Sequence, residues 1–271
     1  ASRRAHLIDT CGTGGGTGPT FNISTAAALA AVAAGATVAK HGNRSFTSKC
    51  GSADVLEAFG VELTIDPARA ASLLETAGMA FLFAPAFHPA MRHVAPVRKQ
   101  LGVPTIMNLL GPLSNPAGVQ RQVLGVADRA RAPLLAEALR RLGATHALVV
   151  HGEVGMDEIA PRGRTAVWEI RDGKIDTWSI DARTHRLEVD DLAALAGGEP
   201  RDNAQRIRRL FEHPGGDRAG RAAVVLNAAA ALYVAGIAPD IADGVARAEE
   251  AVDRGGAREA LERFVGAAGK R

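Results

Sequence analysis

Through its first 150 residues the chain alternates short apolar runs with helix-length stretches, and this restricts its fold more than any other property. The runs cover residues 7–8, 37–39, 81–83, 123–126 and 147–150, with helical patterns such as 24–34 and 66–77 between them. Strands separated by helices pair in parallel, because a parallel neighbour is reached only by a crossover. The pattern predicts an α/β fold: a mostly parallel central sheet flanked by helices. The clearest helix is 129–142, where Leu134, Leu135, Ala138, Leu139 and Leu142 form one apolar stripe after Asp128, a side chain suited to the N-cap, with Gly143 as the stop. Residues 166–170 and 174–180 flank Asp172-Gly173, a dipeptide suited to a two-residue hairpin, so an antiparallel ribbon is expected there. Beyond Asp190 the strand patterns stop and helical ones take over at 201–211, 218–236 and 238–265, the last broken at Gly255-Gly256. The expected organisation is an α/β body over 1–189 and a helical tail over 190–271 that packs on it.

Composition supports a folded chain. Of 271 residues 47% are hydrophobic and 23% charged, but only 4% are aromatic, so the core must be aliphatic and base-stacking platforms are not expected. Cys11 and Cys50 have no zinc-ligand spacing and read as reduced thiols. No stretch reaches the ~18–20 apolar residues of a membrane-spanning helix, and the first nine residues lack a secretory pattern, so the expected location is the cytoplasm. A net charge of +3 with mixed signs suits an anionic small molecule as well as a nucleic acid.

Four segments carry chemistry. Residues 9–25, DTCGTGGGTGPTFNIST, place five glycines within seven positions between a strand and a helix. Bare amides able to take positive φ, followed by a helix N-terminus, make an anion site; a flexible connection is the plainer alternative. The spacing fits neither the Walker pattern nor the dinucleotide fingerprint. Residues 40–52, KHGNRSFTSKCGS, follow a strand and supply Lys40, Arg44 and Lys49 as cations, with His41 and Asn43 as directional partners. Residues 88–98, HPAMRHVAPVR, bring His88, Arg92, His93 and Arg98 together, and a planar guanidinium such as that of Arg98 can read a carboxylate through two bonds. The following LLGPLSNP reads as a rigid turn whose wall Asn108 and Pro112 shape. Finally, Asp157 and Glu158 in GMDE are adjacent carboxylates after a buried strand, oxygen ligands of the kind Mg²⁺ takes.

In this order, GTGG with NIST, KHGNR, RHVAPVR, NLLGPLSNP, GMDE and the later AGGEPRDNA resemble the anthranilate phosphoribosyltransferase family, of the nucleoside phosphorylase-like phosphoribosyltransferase class, over nearly the whole chain. The resemblance implies transfer of a 5-phosphoribosyl group from phosphoribosyl pyrophosphate (PRPP) to the amino group of anthranilate, with Mg²⁺ assisting the release of pyrophosphate. It implies that Gly12, Thr13, Gly14, Gly15, Asn22, Ser24, Thr25, Lys40 and Ser52 hold PRPP, with Lys40 stabilising the leaving group. Gly12, His41, Asn43, His88, Arg98 and Pro112 would line the anthranilate route, and Ser24, Asp157 and Glu158 would serve the metal. No covalent nucleophile is implied. Three positions depart from the family pattern: Gly16 where an acid is usual, Pro104 where an arginine is, and Met107 where a larger apolar residue is common. The family also begins with a helical segment that precedes the first motif, contributing to a homodimer contact in relatives, so the chain is expected to start partway through a longer product and its dimerisation is open. The competing readings are a nucleic-acid-binding relative of the same fold, disfavoured by the low aromatic content, and a pyrimidine nucleoside phosphorylase, disfavoured by KHGNR and RHVAPVR.

Overall fold

The computed structural model describes residues 6–16, 18, 20–45, 49–93, 100 and 106–269. Arg98 and Pro104 lie outside the described residues, as do the side chains of Arg92 and Asn108. The expected strands appear, each longer than its apolar run: β1 (Leu7–Gly12), β2 (Thr37–Gly42), β3 (Met79–Phe83), β4 (Arg121–Gly125) and β5 (His146–Gly152). These five are parallel and ordered β3-β2-β1-β4-β5; β6 (Arg164–Arg171) and β7 (Lys174–Asp181) extend the sheet antiparallel at one edge. Between β6 and β7, Asp172 and Gly173 both take positive φ (51° and 77°), the two-residue turn whose twist matches the strands it joins.

From β1 the chain adds strands in one direction to β3, then returns to place β4 on the other side of β1. This reversal opens a crevice outside the carboxyl ends of β1 and β4. The helices α1 (Ile23–Ala33), α2 (Ser52–Ala58), α3 (Pro67–Thr76) and α4 (Ala132–Arg141) belong to the crossovers; α5 (Pro200–Glu212), α6 (Arg218–Ala235), α7 (Ile241–Asp253) and α8 (Gly256–Ala268) follow the ribbon. Asp66 caps α3 by accepting from the Arg69 amide, and Asp128 accepts from the Ala130 amide at the 3-10 turn before α4. The apolar stripe of α4 is wider than its buried face. Leu135 and Leu139 pack with Leu124, Val126, Ala147 and Val149, while Leu134 and Leu142 are 60% and 64% exposed.

α1 and α6 are buried on nearly every side, which their alanine content permits: small side chains let two helices and the sheet approach closely. α6 packs on α1 and on β1, β4 and β5, and the main core runs continuously from Ile8 to Ala268. Helices from the last quarter of the chain therefore support the strands that carry the first motif.

Candidate active site

Three glycine-ended strands meet at the crevice. β1 leads into the loop that begins at Gly12, β4 ends at Gly125, and the segment after β5 folds back over both. A Cβ on Gly12 would lie 2.7 Å from Asp157 Oδ2, and one on Gly125 would overlap the Asp157 carbonyl. Only glycine at these two ends lets Asp157 sit against the loop. Gly14 and Gly15 take φ of 69° and 82°, and the Gly14 amide donates to Asp157 Oδ2 at 2.8 Å. Thr13 is fixed from both sides: its amide donates to the Gly125 carbonyl (2.9 Å) and its hydroxyl accepts from the Ala127 amide (3.1 Å).

Lys40, near the end of β2, is 1% exposed. Its ammonium donates to the Thr10 carbonyl and to Ser24 Oγ (3.0 Å), which joins β2 to β1 and to the first turn of α1. Burial lowers the Lys40 pKa, against the opposing pull of Asp9, Cys11 and Glu158. Asp9 is buried beside it; desolvation raises its pKa to about 6, and Lys40 and Asn115 pull it down. One Asp9 oxygen accepts from the His41 amide (3.2 Å) and the other from Asn115 Nδ2 (2.8 Å), which also donates to the Ala39 carbonyl. Asp9 and Asn115 thus fix the backbone that carries Lys40 and His41.

Asn22 precedes α1 without capping it; its amide oxygen accepts from Asn203 Nδ2 (3.0 Å) on α5 and from Cys50 Sγ. Thr25 is wholly buried and its hydroxyl has no partner. His41 donates Nδ1–H to the Gly111 carbonyl (3.1 Å), leaving Nε2 as a bare acceptor, and its ring meets His88 edge-on at 5.1 Å between centroids. Both Nε2 atoms lack partners. Burial, with His88 adding to it, lowers the His41 pKa to about 4. Pro112 is buried and its carbonyl accepts from Gln122 Nε2; Ser52 opens α2, and the Asn43 side chain accepts from the Arg44 amide. Arg44, one of the three cations the sequence offered here, is engaged within the fold: Asp54 and Glu57 hold its guanidinium at 2.9 and 2.8 Å.

Glu158 faces the same crevice from beside Asp157. Burial raises both carboxyls, Glu158 to about 8, with Asp157 adding to the shift and Lys40 and the Ser24 amide opposing it. Two adjacent acids held against their ionisation make a place where a cation is favoured. The donors there are oxygens only, and among the described residues no cluster of three or more His, Cys, Asp or Glu forms a cage, so a cation would take further oxygens from a ligand. Ser24, Asp157 and Glu158 fit Mg²⁺ on those terms.

The residues that bear on one another here are therefore Gly12, Thr13, Gly14, Ser24, Lys40, Asp157 and Glu158, with His41 and His88 at the β2 side. The sequence did not disclose Asp9, Asn115 or Asn203, although Asp9 opens the glycine segment and Asn203 lies in AGGEPRDNA.

The profile described as "Glycosyl transferase family, a/b domain" matches residues 4–258. The anthranilate phosphoribosyltransferase of Myxococcus xanthus (strain DK1622) is 50% identical over 261 residues, 96% of this chain and 76% of that protein. The chain belongs to the anthranilate phosphoribosyltransferase family. Crystallography provides family members of the same shape: that of Thermus thermophilus superposes with a TM-score of 0.88 at 48% identity, over 96% of this chain and 77% of the other. The Saccharomyces cerevisiae member, solved in complex with PRPP and Mg, gives 0.87 at 32% identity over 97% and 73%. Among the described residues, no helix is long and apolar enough to cross a membrane.

Proposed function

We propose that the chain transfers the 5-phosphoribosyl group of PRPP to the amino nitrogen of anthranilate, releasing pyrophosphate and giving N-(5-phosphoribosyl)anthranilate. The observation that carries this reading is the buried Lys40 ammonium, bonded to Ser24 at the start of α1, where the glycine loop and the Asp157–Glu158 pair converge.

In the reaction the bond from ribose C1 to the pyrophosphate oxygen breaks and a C1–N bond forms, and the amine's surplus proton passes to water. Charge develops on the departing oxygens. The amides of Gly14 and Gly15, in a loop whose base Gly12 and Thr13 hold against β4, and the Asn22–Thr25 end of α1 would receive those oxygens, with Lys40 supplying a fixed positive charge and Ser52 close by. These groups are set before the reaction, so little reorganisation opposes the bond cleavage. Mg²⁺, held by Ser24, Asp157 and Glu158, would neutralise part of the pyrophosphate charge. Anthranilate would enter past Gly12, Asn43, His88 and Pro112. The neutral His41, its Nε2 lone pair free, would accept a hydrogen bond from the aromatic amine and point the nitrogen lone pair at C1. Arg98 would bind the acceptor's carboxylate. No covalent intermediate is required.

Loss of anthranilate fluorescence on mixing with PRPP and Mg²⁺ tests the reading. Turnover that needs both additions supports it; its absence in purified, folded protein would overturn it. Replacing Arg98→Ala should raise KM for anthranilate at least tenfold while moving that for PRPP less than twofold; equal effects would remove the Arg98 assignment.

A further inference from the structure

The Asp157–Glu158 carboxylates sit on a stretch of backbone that belongs to no strand or helix, held by a backbone turn on one side and by side chains on the other. Upstream, the turn after β5 closes through a bond from the Gly152 amide to the Met156 carbonyl (2.9 Å). Downstream, Ile159 is gripped on both of its peptide groups by one residue of α6: Asn227 Oδ1 accepts from the Ile159 amide at 3.0 Å, and Asn227 Nδ2 donates to the Ile159 carbonyl at 2.9 Å. The second Nδ2 proton goes to the Ala223 carbonyl one turn back (2.9 Å), which fixes the amide's orientation, since only the nitrogen can serve two carbonyls. The next amide, that of Ala160, donates to Thr165 Oγ1 at 3.0 Å. Asn227 is 4% exposed and shares the wall of one small void with Glu158, Ser24 and Gly125.

We propose that Asn227 is a positioning residue for the reaction: by clamping the Ile159 peptide it holds the Asp157–Glu158 carboxylates at the glycine loop in the geometry that binds a divalent cation together with the donor's pyrophosphate. The proposal rests on the reading of the site given above. Its physical content is that an irregular backbone segment has a soft direction at each peptide without a partner, and two bonds from one rigid amide remove it at the residue adjoining Glu158. Misplacement of metal-binding carboxylates weakens the cation more than it weakens the aromatic acceptor, whose amine and carboxylate are met by other side chains on the other side of the crevice. A residue of purely structural importance would instead lower stability and the fraction of folded protein, leaving the affinity of the folded molecules unchanged.

The test compares Asn227→Ala and the milder Asn227→Ser with Leu139→Ala, a core truncation in the separate cluster around α4 that lowers stability without touching the segment. Thermal unfolding is recorded for each. Mn²⁺ binding in the presence of PRPP is then followed by electron paramagnetic resonance, a readout independent of turnover. The expected result is at least a tenfold rise in the Mn²⁺ Kd for Asn227→Ala and a smaller rise for Asn227→Ser. The Mg²⁺ concentration for half-maximal rate should rise in parallel, and KM for anthranilate should stay within about twofold. Leu139→Ala should keep the wild-type Mn²⁺ Kd at a similar fall in unfolding temperature. Wild-type Mn²⁺ affinity in both Asn227 variants, or an equal loss in Leu139→Ala, would overturn the proposal, as would a wild-type protein that binds no Mn²⁺ with PRPP. Wild-type Mn²⁺ binding without turnover would instead overturn the functional reading, and the Asn227 comparison would still be read from binding alone.

Discussion

Lys40 is a charge taken entirely out of water, and its surroundings explain why that is tolerated: a carbonyl, a hydroxyl and the nearby Asp9 offset the loss of hydration. Replacing it with methionine keeps the stem and removes the charge, so kcat/KM for PRPP should fall by about 10²–10³, the usual effect of deleting one preorganised group that stabilises developing charge. Steady-state kinetics at saturating Mg²⁺ checks this. His41 gives a pH prediction. Its folded-state pKa is depressed from 6.5 to about 4, so the stability tied to its neutral form is present above pH 6.5 and is lost as pH falls towards 4, up to about 3 kcal/mol. Asp9, raised to about 6, acts in the opposite sense, because its folded form gains relative stability as it takes up a proton below that pH. Removing the histidine while keeping Asp9 should therefore make His41→Asn lose less melting temperature than wild type between pH 6.5 and 4; parallel curves would contradict this. The residues legible in the sequence were those whose type and spacing announce a task, such as the glycines and Asp157-Glu158. Asp9, Asn115, Asn203 and Asn227 were not, because each works by bonding backbone or a side chain at least 30 positions away, and nothing local marks that.

At the level of elements, two glycines that look alike in the sequence should behave differently. Gly125 ends β4 with the Asp157 carbonyl in the space a Cβ would fill, so Gly125→Ala must displace the segment that bears the acids; a loss of at least 100-fold in kcat/KM is expected, with a lower melting temperature. Gly244 on α7 faces the Ala229 carbonyl of α6, 2.6 Å from a built Cβ. Gly244→Ala should cost about 1–3 kcal/mol in unfolding free energy by forcing the helices apart, while KM for both substrates stays within twofold. Urea unfolding and kinetics on both variants separate the cases. Apolar periodicity located the strands but understated them: β1, β2 and β5 run on into polar or glycine residues at their carboxyl ends, where the crevice lies, and β3 and β4 begin two residues before their apolar runs. It overstated the buried face of α4, because a stripe records which side chains are apolar and not how far a neighbouring surface extends.

The whole molecule is held by a core that passes from the first strand to the last helix, with α6 beneath the strands of the site. Unfolding of the described body and its later helices should accordingly be one transition by calorimetry, with calorimetric and van't Hoff enthalpies equal; a separate transition for the helices beyond residue 190 would show that they fold apart. PRPP with Mg²⁺ at about a hundred times Kd should raise that single midpoint by roughly 5–10 °C, and PRPP alone by less. The strand order was not legible in the sequence: periodicity gives strands in chain order, and the return of β4 to the far side of β1 is decided by which helices cover which face.

The hydrogen bond from Gly14 to Asp157 means that the resting loop already answers an acid. Seating a pyrophosphate there is an exchange of anions, so the donor gains only the difference between two similar guests until something else receives the displaced carboxylate. A divalent cation is such a recipient, which makes tight loading a property of cation and donor arriving as partners and leaves either one, offered singly, a weak visitor.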